Sequence, residues 1–354
     1  MPNIVIALGG ELNENTAPGS RALRIGEVLE KNGFDIEFFS INNGMENFFT
    51  SLLSNYKLAK KVALHASNNQ ALVISRGVYL NIFLALYSFR KNFIYGIDLH
   101  CQVEGIIEWF FNKKYIHIIV FGPLSIFSIL QSSFIIGITP AICSYNARVY
   151  DKETFLIPNG IDIEKIRKII DKNYKSNLLE NNVRYIFFIG HQEPWIPLED
   201  LLYASEHMED FRVVIIGEIP SYEKYSIQYP KAIFLGKLTY VETMNLANNY
   251  SSCFYHSFLK NDIWKYKSSR KLLEYLFFEK PIILNTKNYL DSELEKFGCF
   301  RLYRDGDAKN LAQVIEFTTQ ENGKNSENNL VFYSWVHLIK KSGLVSYLKI
   351  SISP

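Results

Sequence analysis

The chain has 354 residues, of which 48% are hydrophobic and 21% charged, and a formal net charge of +2. That length exceeds the roughly 250–300 residues at which single cores stop growing, so two domains are expected, and the balanced charge supplies no basic stripe for nucleic acid. Four scattered cysteines, Cys101, Cys143, Cys253 and Cys299, form neither a disulfide framework nor a zinc pattern, which points to reduced thiols and a cytoplasmic protein with no metal site. The N-terminal MPNIVIALGGELN lacks the basic start and cleavage site of a signal peptide.

In chain order, a strand is predicted over 4–8, ending in the Gly9-Gly10 turn. A helix follows over 21–32, with Leu23, Ile25, Val28 and Leu29 near helical spacing and Gly33 as its stop. Further strands are predicted over 36–40, 71–74, 93–97 and 117–121. Residues 115–146 hold no Asp, Glu, Lys or Arg, but Gly122, Pro123, Gly137 and Pro140 interrupt them. No run of about 20 apolar residues survives, so a strand over 117–121, a helix over 124–131 and a strand over 134–138 are expected in place of a membrane span.

The second half repeats the rhythm. Strands over 185–189, 211–216 and 232–235 end in Gly190, Gly217 and Gly236, with a helix over 198–206 between the first two. Strands over 252–255 and 281–284 follow. Asp307 is expected to cap a helix over 309–317 after a strand over 299–303, not to ligate a metal through Asp305-Gly306-Asp307. Residues 320–329 are polar and read as a loop, and 335–349 as a helix. Alternation of continuous apolar strands with helices specifies an α/β fold with parallel sheets covered on both faces. The interruption at 155–162 (FLIPNGID) marks the boundary between 1–156 and 157–330, with 331–354 as a terminal helical segment.

The strongest chemical signal is the stretch 268–284. Ser268 or Ser269 can cap a helix whose first turn holds Arg270 and Lys271, and free amides beside two cations suit a diphosphate. Glu274, one turn on, can accept two hydroxyl hydrogen bonds, as ribose recognition requires. The alternative is a solvated helix face with an Arg270–Glu274 pair. Gly9 and Gly10 either give backbone room to a phosphate or an acceptor, or form a tight turn. Arg21 and Arg24 either face an acceptor or coat a helix. His100, two residues after Asp98 at a strand end, and His256, after the strand over 252–255, are candidates for contacts with a sugar.

The stretch 268–283 resembles the donor-site element of glycosyltransferase family four, the retaining GT-B group, whose usual form reads K-L-x-E-Y-(M/L)-A-x-G-K-P-V-(V/I). In the same order, 157–162 (IPNGID) is similar to that family's interdomain I-x-N-G-(V/I)-D. Asp98-Leu99-His100 with Glu104 is similar to its D-x-H-x3-E, and 188–204 (FIGHQEPWIPLEDLLYA) to the turn opening its second domain. The resemblance covers nearly the whole chain. It departs where Tyr266 stands in place of a common Glu, where 191–195 (HQEPW) lacks the usual Arg and Lys, and where Glu279 replaces a Gly. The first two departures shift the phosphate-binding burden onto Arg270 and Lys271.

The resemblance implies two doubly wound Rossmann-like domains facing across a cleft, the first binding the acceptor and the second the donor. The segment 331–354 is then expected to pack back on the first domain. It implies a retaining transfer from a nucleotide sugar to a glycan or lipid-linked oligosaccharide, in polysaccharide biosynthesis at the inner face of the cytoplasmic membrane. The donor is a substrate, and neither cofactor nor metal is called for. Gly190, His191, Ser269, Arg270, Lys271, Glu274 and His256 would hold the donor. Gly9, Gly10 and Arg21 would form the acceptor or phosphate loop, and His100 with Asp98 would act at the reacting groups. Two other readings share the fold: a sugar-nucleotide 2-epimerase, and a degenerate transferase-like subunit that binds or stabilises a partner.

Overall fold

A computed structural model describes the chain apart from residues 1–2, 15, 42–46, 92, 101–114, 191–197, 221, 259–268, 287–291, 319–328 and 353–354. Two compact units result. One takes Met1–Asn159 and Trp335–Pro354, the other Gly160–Trp264 and Ser269–Ser334.

The first unit is built on β1 (Asn3–Leu8), β2 (Asp35–Ser40), β3 (Leu72–Arg76), β4 (Tyr95–Leu99), β5 (Phe134–Gly137) and β6 (Glu153–Leu156). All neighbours are parallel, in the order β2-β1-β3-β4-β5-β6. The helices are α1 (Ala17–Glu30), α2 (Phe48–Asn69), α3 (Val78–Lys91), α4 (Tyr115–Gln131) and α5 (Pro140–Tyr150). Successive strand residues point to opposite faces, so β1 sends Val5 and Ala7 into one core and Ile4 and Ile6 into another. Leu58 and Val62 of α2 and Leu80 and Leu84 of α3 cover the first face. Ile25 and Leu29 of α1 cover the second, together with Trp335 and Ile339 of α12 (Trp335–Lys341) and Leu344 and Leu348 of α13 (Leu344–Ile352).

The second unit holds β7 (Arg184–Ile189), β8 (Phe211–Ile216), β9 (Ile233–Gly236), β10 (Ser251–His256), β11 (Ile282–Leu284) and β12 (Phe300–Leu302), parallel in the order β12-β11-β10-β7-β8-β9. Among its helices are α6 (Ile163–Ile169), α7 (Glu199–His207), α8 (Tyr222–Gln228), α9 (Tyr240–Tyr250), α10 (Arg270–Phe277) and α11 (Ala308–Glu316). Phe187, Val214, Phe254 and Ile282 meet Leu272 and Leu276 of α10 on one face. Ile186, Val213, Cys253 and Ile283 meet Leu201 of α7 and Leu311 of α11 on the other. Strand order reverses between β1 and β3 in the first sheet and between β7 and β10 in the second, and in such folds ligands bind beyond the strand ends at that point.

Two expectations need correction. Residues 117–121 belong to α4, not to a strand, because a short unbroken apolar run suits a buried helix as well as a buried strand. The helix expected over 335–349 is broken between α12 and α13 at Gly343, whose φ of +82° ends the first segment. Among the described residues no helix is long and apolar enough to cross a membrane.

The boundary motif has a structural explanation. Ile157 is fully buried in the first unit and Pro158 accepts a bond from Arg21, while Ile161 bonds Tyr333 and pairs with Ser334 in the second. Asp162 caps α6 through Lys165 N at 3.0 Å. The Lys-Pro after α10 is also structural. Lys280 Nζ donates to Ala247 O, Asn248 O and Ser251 Oγ at 2.7–3.0 Å, closing the end of α9. Burial lowers its ammonium pKa to about 8.

Glu279 lies just past α10 with φ +55°, the left-handed position where glycine is favoured. Glu279→Gly should relieve the Cβ strain and stabilise the second unit by about 0.5–1 kcal/mol, read as a higher midpoint in thermal or urea unfolding.

Candidate functional site

At the switch point of the second unit, three strand ends are joined through glycine backbone. Gly190 N donates to Ile216 O and Gly217 N donates to Gly236 O, both at 2.8 Å. Gly190 has φ +153° and Gly217 φ +138°. A Cβ on Gly217 would collide with the Gly190 carbonyl, so only glycine lets the two turns nest. A Cβ on Gly190 would collide with Lys271 Nζ, which means that this ammonium lies across the turn. Tyr275 Oη accepts from Ile189 N at 3.0 Å, and its ring stacks on Phe254 at 4.3 Å, which fixes α10 against the end of β7.

Ser269 caps α10, its Oγ accepting from Leu272 N at 3.4 Å. Lys271 therefore sits in the first helical turn, close to free amides and the positive end of the helix dipole. Glu274 is only 7% exposed. Its Oε1 accepts from Arg270 Nε at 2.9 Å and from Tyr240 Oη at 3.2 Å. Among the described residues, Oε2 takes no hydrogen bond, which leaves acceptor capacity on a carboxylate held in place. The Arg270 guanidinium stands over the Tyr240 ring at 5.7 Å. The Arg270–Glu274 pair thus exists, with the carboxylate buried and the guanidinium 34% exposed. His256 ends β10 and is buried; burial and the nearby Lys271 charge lower its imidazole pKa to about 3, so it is neutral at physiological pH. His191 lies outside the described residues, as do Glu104 and Tyr266.

In the first unit, Gly9 N bonds Arg76 O at 2.8 Å. A Cβ on Gly9 would meet Asn55 Oδ1 at 2.6 Å and Leu80 Cβ at 3.3 Å, whereas Gly10 has open space beside it. Arg21 is only 1% exposed, so it neither faces an acceptor nor coats a helix. It grips Asp98 through Nε at 2.9 and 3.1 Å and Nη2 at 2.8 Å, and Arg76 Nη1 adds a contact at 3.2 Å. Arg21 Nη1 also reaches Pro158 O at 3.2 Å, and its guanidinium lies 5.7 Å from the Trp335 ring centroid. Arg24 bonds Glu27 at 2.7 Å and coats α1. The carboxylate expected to assist His100 is also the centre of a buried ion cluster. The His100 charge contributes to lowering the Asp98 pKa, and His100 follows β4 directly, half-buried.

Sequence reasoning missed Tyr240, Tyr275 and Arg76. Tyr275 stood inside the quoted helix motif, but its hydroxyl bond to β7 is long-range. Arg76 ends β3 as Gly9 follows β1, and only strand pairing brings it to Asp98.

No protein-family model matches the chain, and no curated protein matches it in sequence. Solved structures do. Sucrose-phosphate synthase from Thermosynechococcus elongatus aligns over 100% of both chains with a TM-score of 0.74 at 13% identity. A trehalose-6-phosphate structure from E. coli bound with UDP-2-fluoro glucose aligns over 98% of this chain and 99% of its own, with a TM-score of 0.71 at 12% identity. HepE from Anabaena in complex with UDP-glucose aligns over 98% and 99%, with a TM-score of 0.64 at 15% identity. At these identities the likeness shows the fold: two Rossmann-like units of the GT-B architecture.

Burial alone would raise the Asp98 pKa, but Arg21 and Arg76 hold it at about 2, below its ordinary 3.8. A carboxyl depressed on folding stabilises above its unfolded value and loses that contribution as pH falls through the folded one. Stability of about 2 kcal/mol should therefore be present above pH 4 and disappear between pH 4 and 2, and Asp98→Asn should lack this component in acid unfolding curves. Asp98→Ala, which strands two buried guanidinium groups, should cost about 3–5 kcal/mol in denaturant unfolding.

Proposed function

We propose that the chain is a retaining glycosyltransferase of the family-four type. It takes a sugar from a nucleotide-sugar donor held by the second unit and passes it to a hydroxyl of a glycan or lipid-linked acceptor, in cell-surface polysaccharide synthesis. The carrying observation is the Lys271 ammonium lying across the Gly190 turn, where the amino end of α10 meets the switch point of the sheet. A diphosphate at that place would meet the ammonium, the glycine backbone and the first-turn amides together. Glu274, one turn further, has the free acceptor oxygen that a ribose diol needs. The solved neighbours that hold UDP-glucose or its 2-fluoro analogue make a uridine diphosphate sugar the first donor to test.

In this reading the nucleoside diphosphate leaves while Lys271, Arg270 and the helix amides offset the charge that develops on it. These fixed positive charges take the part that a divalent cation plays elsewhere, and the reaction is metal-independent. The acceptor hydroxyl, bound by the first unit, attacks on the face that the leaving group vacates and gives its proton to a departing phosphate oxygen, so configuration is retained without a covalent intermediate. The neutral His256 ring can hydrogen-bond a sugar hydroxyl without adding charge. His100 orients a reacting hydroxyl. A lipid-linked acceptor would bring the protein to the inner face of the cytoplasmic membrane.

Calorimetric titration with UDP-, GDP- and CMP-sugars tests the donor assignment. Binding to one of them is expected, with Glu274→Ala weakening it about tenfold or more and Lys271→Ala doing likewise. His100→Ala should lower turnover and leave donor affinity in place. Failure of every sugar nucleotide to bind would favour a non-catalytic subunit, and conversion of the donor without an acceptor would favour an epimerase.

A further inference from the structure

Three helices of the first unit have a composition that covering the sheet does not require. α2 (22 residues), α3 (14) and α4 (17) contain no Asp or Glu, in a chain with 36 acidic residues. They do carry Lys57, Lys60, Lys61, Arg90 and Lys91, all exposed. An ordinary solvated helix face mixes both signs of charge. Among the described residues, the carboxylate that bonds these helices is that of Glu37, which reaches His65 at 2.8 Å.

Large apolar side chains stand in solvent among those cations. Phe49 is 78% exposed and Phe89 80%, with Leu53, Tyr56 and Leu86 between 41% and 53%. Phe49, Leu53 and Tyr56 recur at i, i+4 and i+7, a single stripe along α2, and Leu86, Phe89 and Arg90 share a face of α3. These residues are not spare core. The inward faces of the same helices are filled by Leu58, Val62, Leu80 and Leu84. Between the helices lies a groove of about 350 Å3, walled by Tyr56, Phe83, Leu86 and Phe127 with Arg90.

We propose that this face docks on an anionic lipid bilayer, with Phe49 and Phe89 entering the headgroup layer and Lys57, Lys60 and Arg90 meeting lipid phosphates. Lysine is depleted in protein–protein interfaces, and two of these three cations are lysines. Aromatic tips among cations, on helices that carry no carboxylate of their own, is the chemistry of a surface that lies on a membrane without crossing it. The groove gives an acyl or isoprenoid chain an apolar wall beside Arg90. The inference rests on exposure and charge in the first unit and does not depend on the donor site of the second. Where both hold, the surface brings the protein to lipid-linked acceptors.

Flotation of the full chain with vesicles tests it, using phosphatidylcholine alone and phosphatidylcholine with phosphatidylglycerol. Binding is expected to the anionic vesicles only, and to weaken with added salt. Replacing three cations together (Lys57→Gln, Lys60→Gln, Arg90→Gln) should weaken it on the order of a hundredfold, and Phe49→Ser with Phe89→Ser about tenfold or more. Unfolding midpoints at wild-type values show that both variants fold, and sugar-nucleotide titration of the same samples reads the second unit separately. Absence of vesicle binding, equal binding to neutral vesicles, or no effect of either variant would overturn the proposal. So would a homodimer in light scattering that the two Ser substitutions dissociate, since a second copy would then own this face.

Discussion

The two sheets are parallel and buried on both faces, and that constraint decides where this chain can do chemistry. Helices cover the faces, so backbone and polar side chains come into the open mainly beyond the carboxyl ends of the strands. The glycines at those ends follow from it. Gly190 and Gly217 adopt backbone conformations that side chains resist, and their turns are packed so closely that one glycine's missing Cβ is the space occupied by the other's carbonyl. Lys271 uses the same missing atom at Gly190. The cation reaches the rim of the sheet because the turn in front of it is bare.

Charge is handled in two ways at the two rims. In the first unit, Asp98 is almost wholly buried and bound by two guanidinium groups, a pairing that low dielectric makes obligatory. Arg21 carries that cluster further, to the Pro158 carbonyl and the Trp335 ring, so the ion pair fastens the end of the first sheet to the start of the linker and to the returning C-terminal helix. In the second unit the Glu274 carboxylate, among the described residues, uses one of its two oxygens. Tyr240 and Arg270 both use Oε1, and the carboxylate is oriented with its other oxygen available. The first arrangement is closed and structural. The second is open, which is what a binding site needs.

The glycosyltransferase reading and the bilayer-facing surface come from different physics in different units. The proposed donor site is a convergence of a helix start, a glycine turn and one ammonium. The outer face of α2, α3 and α4 is a matter of composition: exposed aromatics and cations on helices that contain no Asp or Glu. Neither needs the other to be physically coherent.

Periodicity and turn chemistry sufficed for most of the architecture, because alternating apolar strands and helices with glycine stops are local patterns. The strand ends at Gly190, Gly217 and Gly236 and the caps at Ser269 and Asp307 were all legible for that reason. Residues 117–121 were not, since an apolar run without period fits a buried strand and a buried helix equally, and only the neighbouring elements decide. The fate of Arg21 and Asp98 lay further out of reach. They are 77 residues apart and meet only because the sheet sets β4 one strand away from β1, whose end leads into α1. Local sequence determined which elements form and where they stop. The tertiary structure alone decided which charges are buried against each other and which are left for a ligand, because pairing across a sheet depends on strand order and not on separation along the chain.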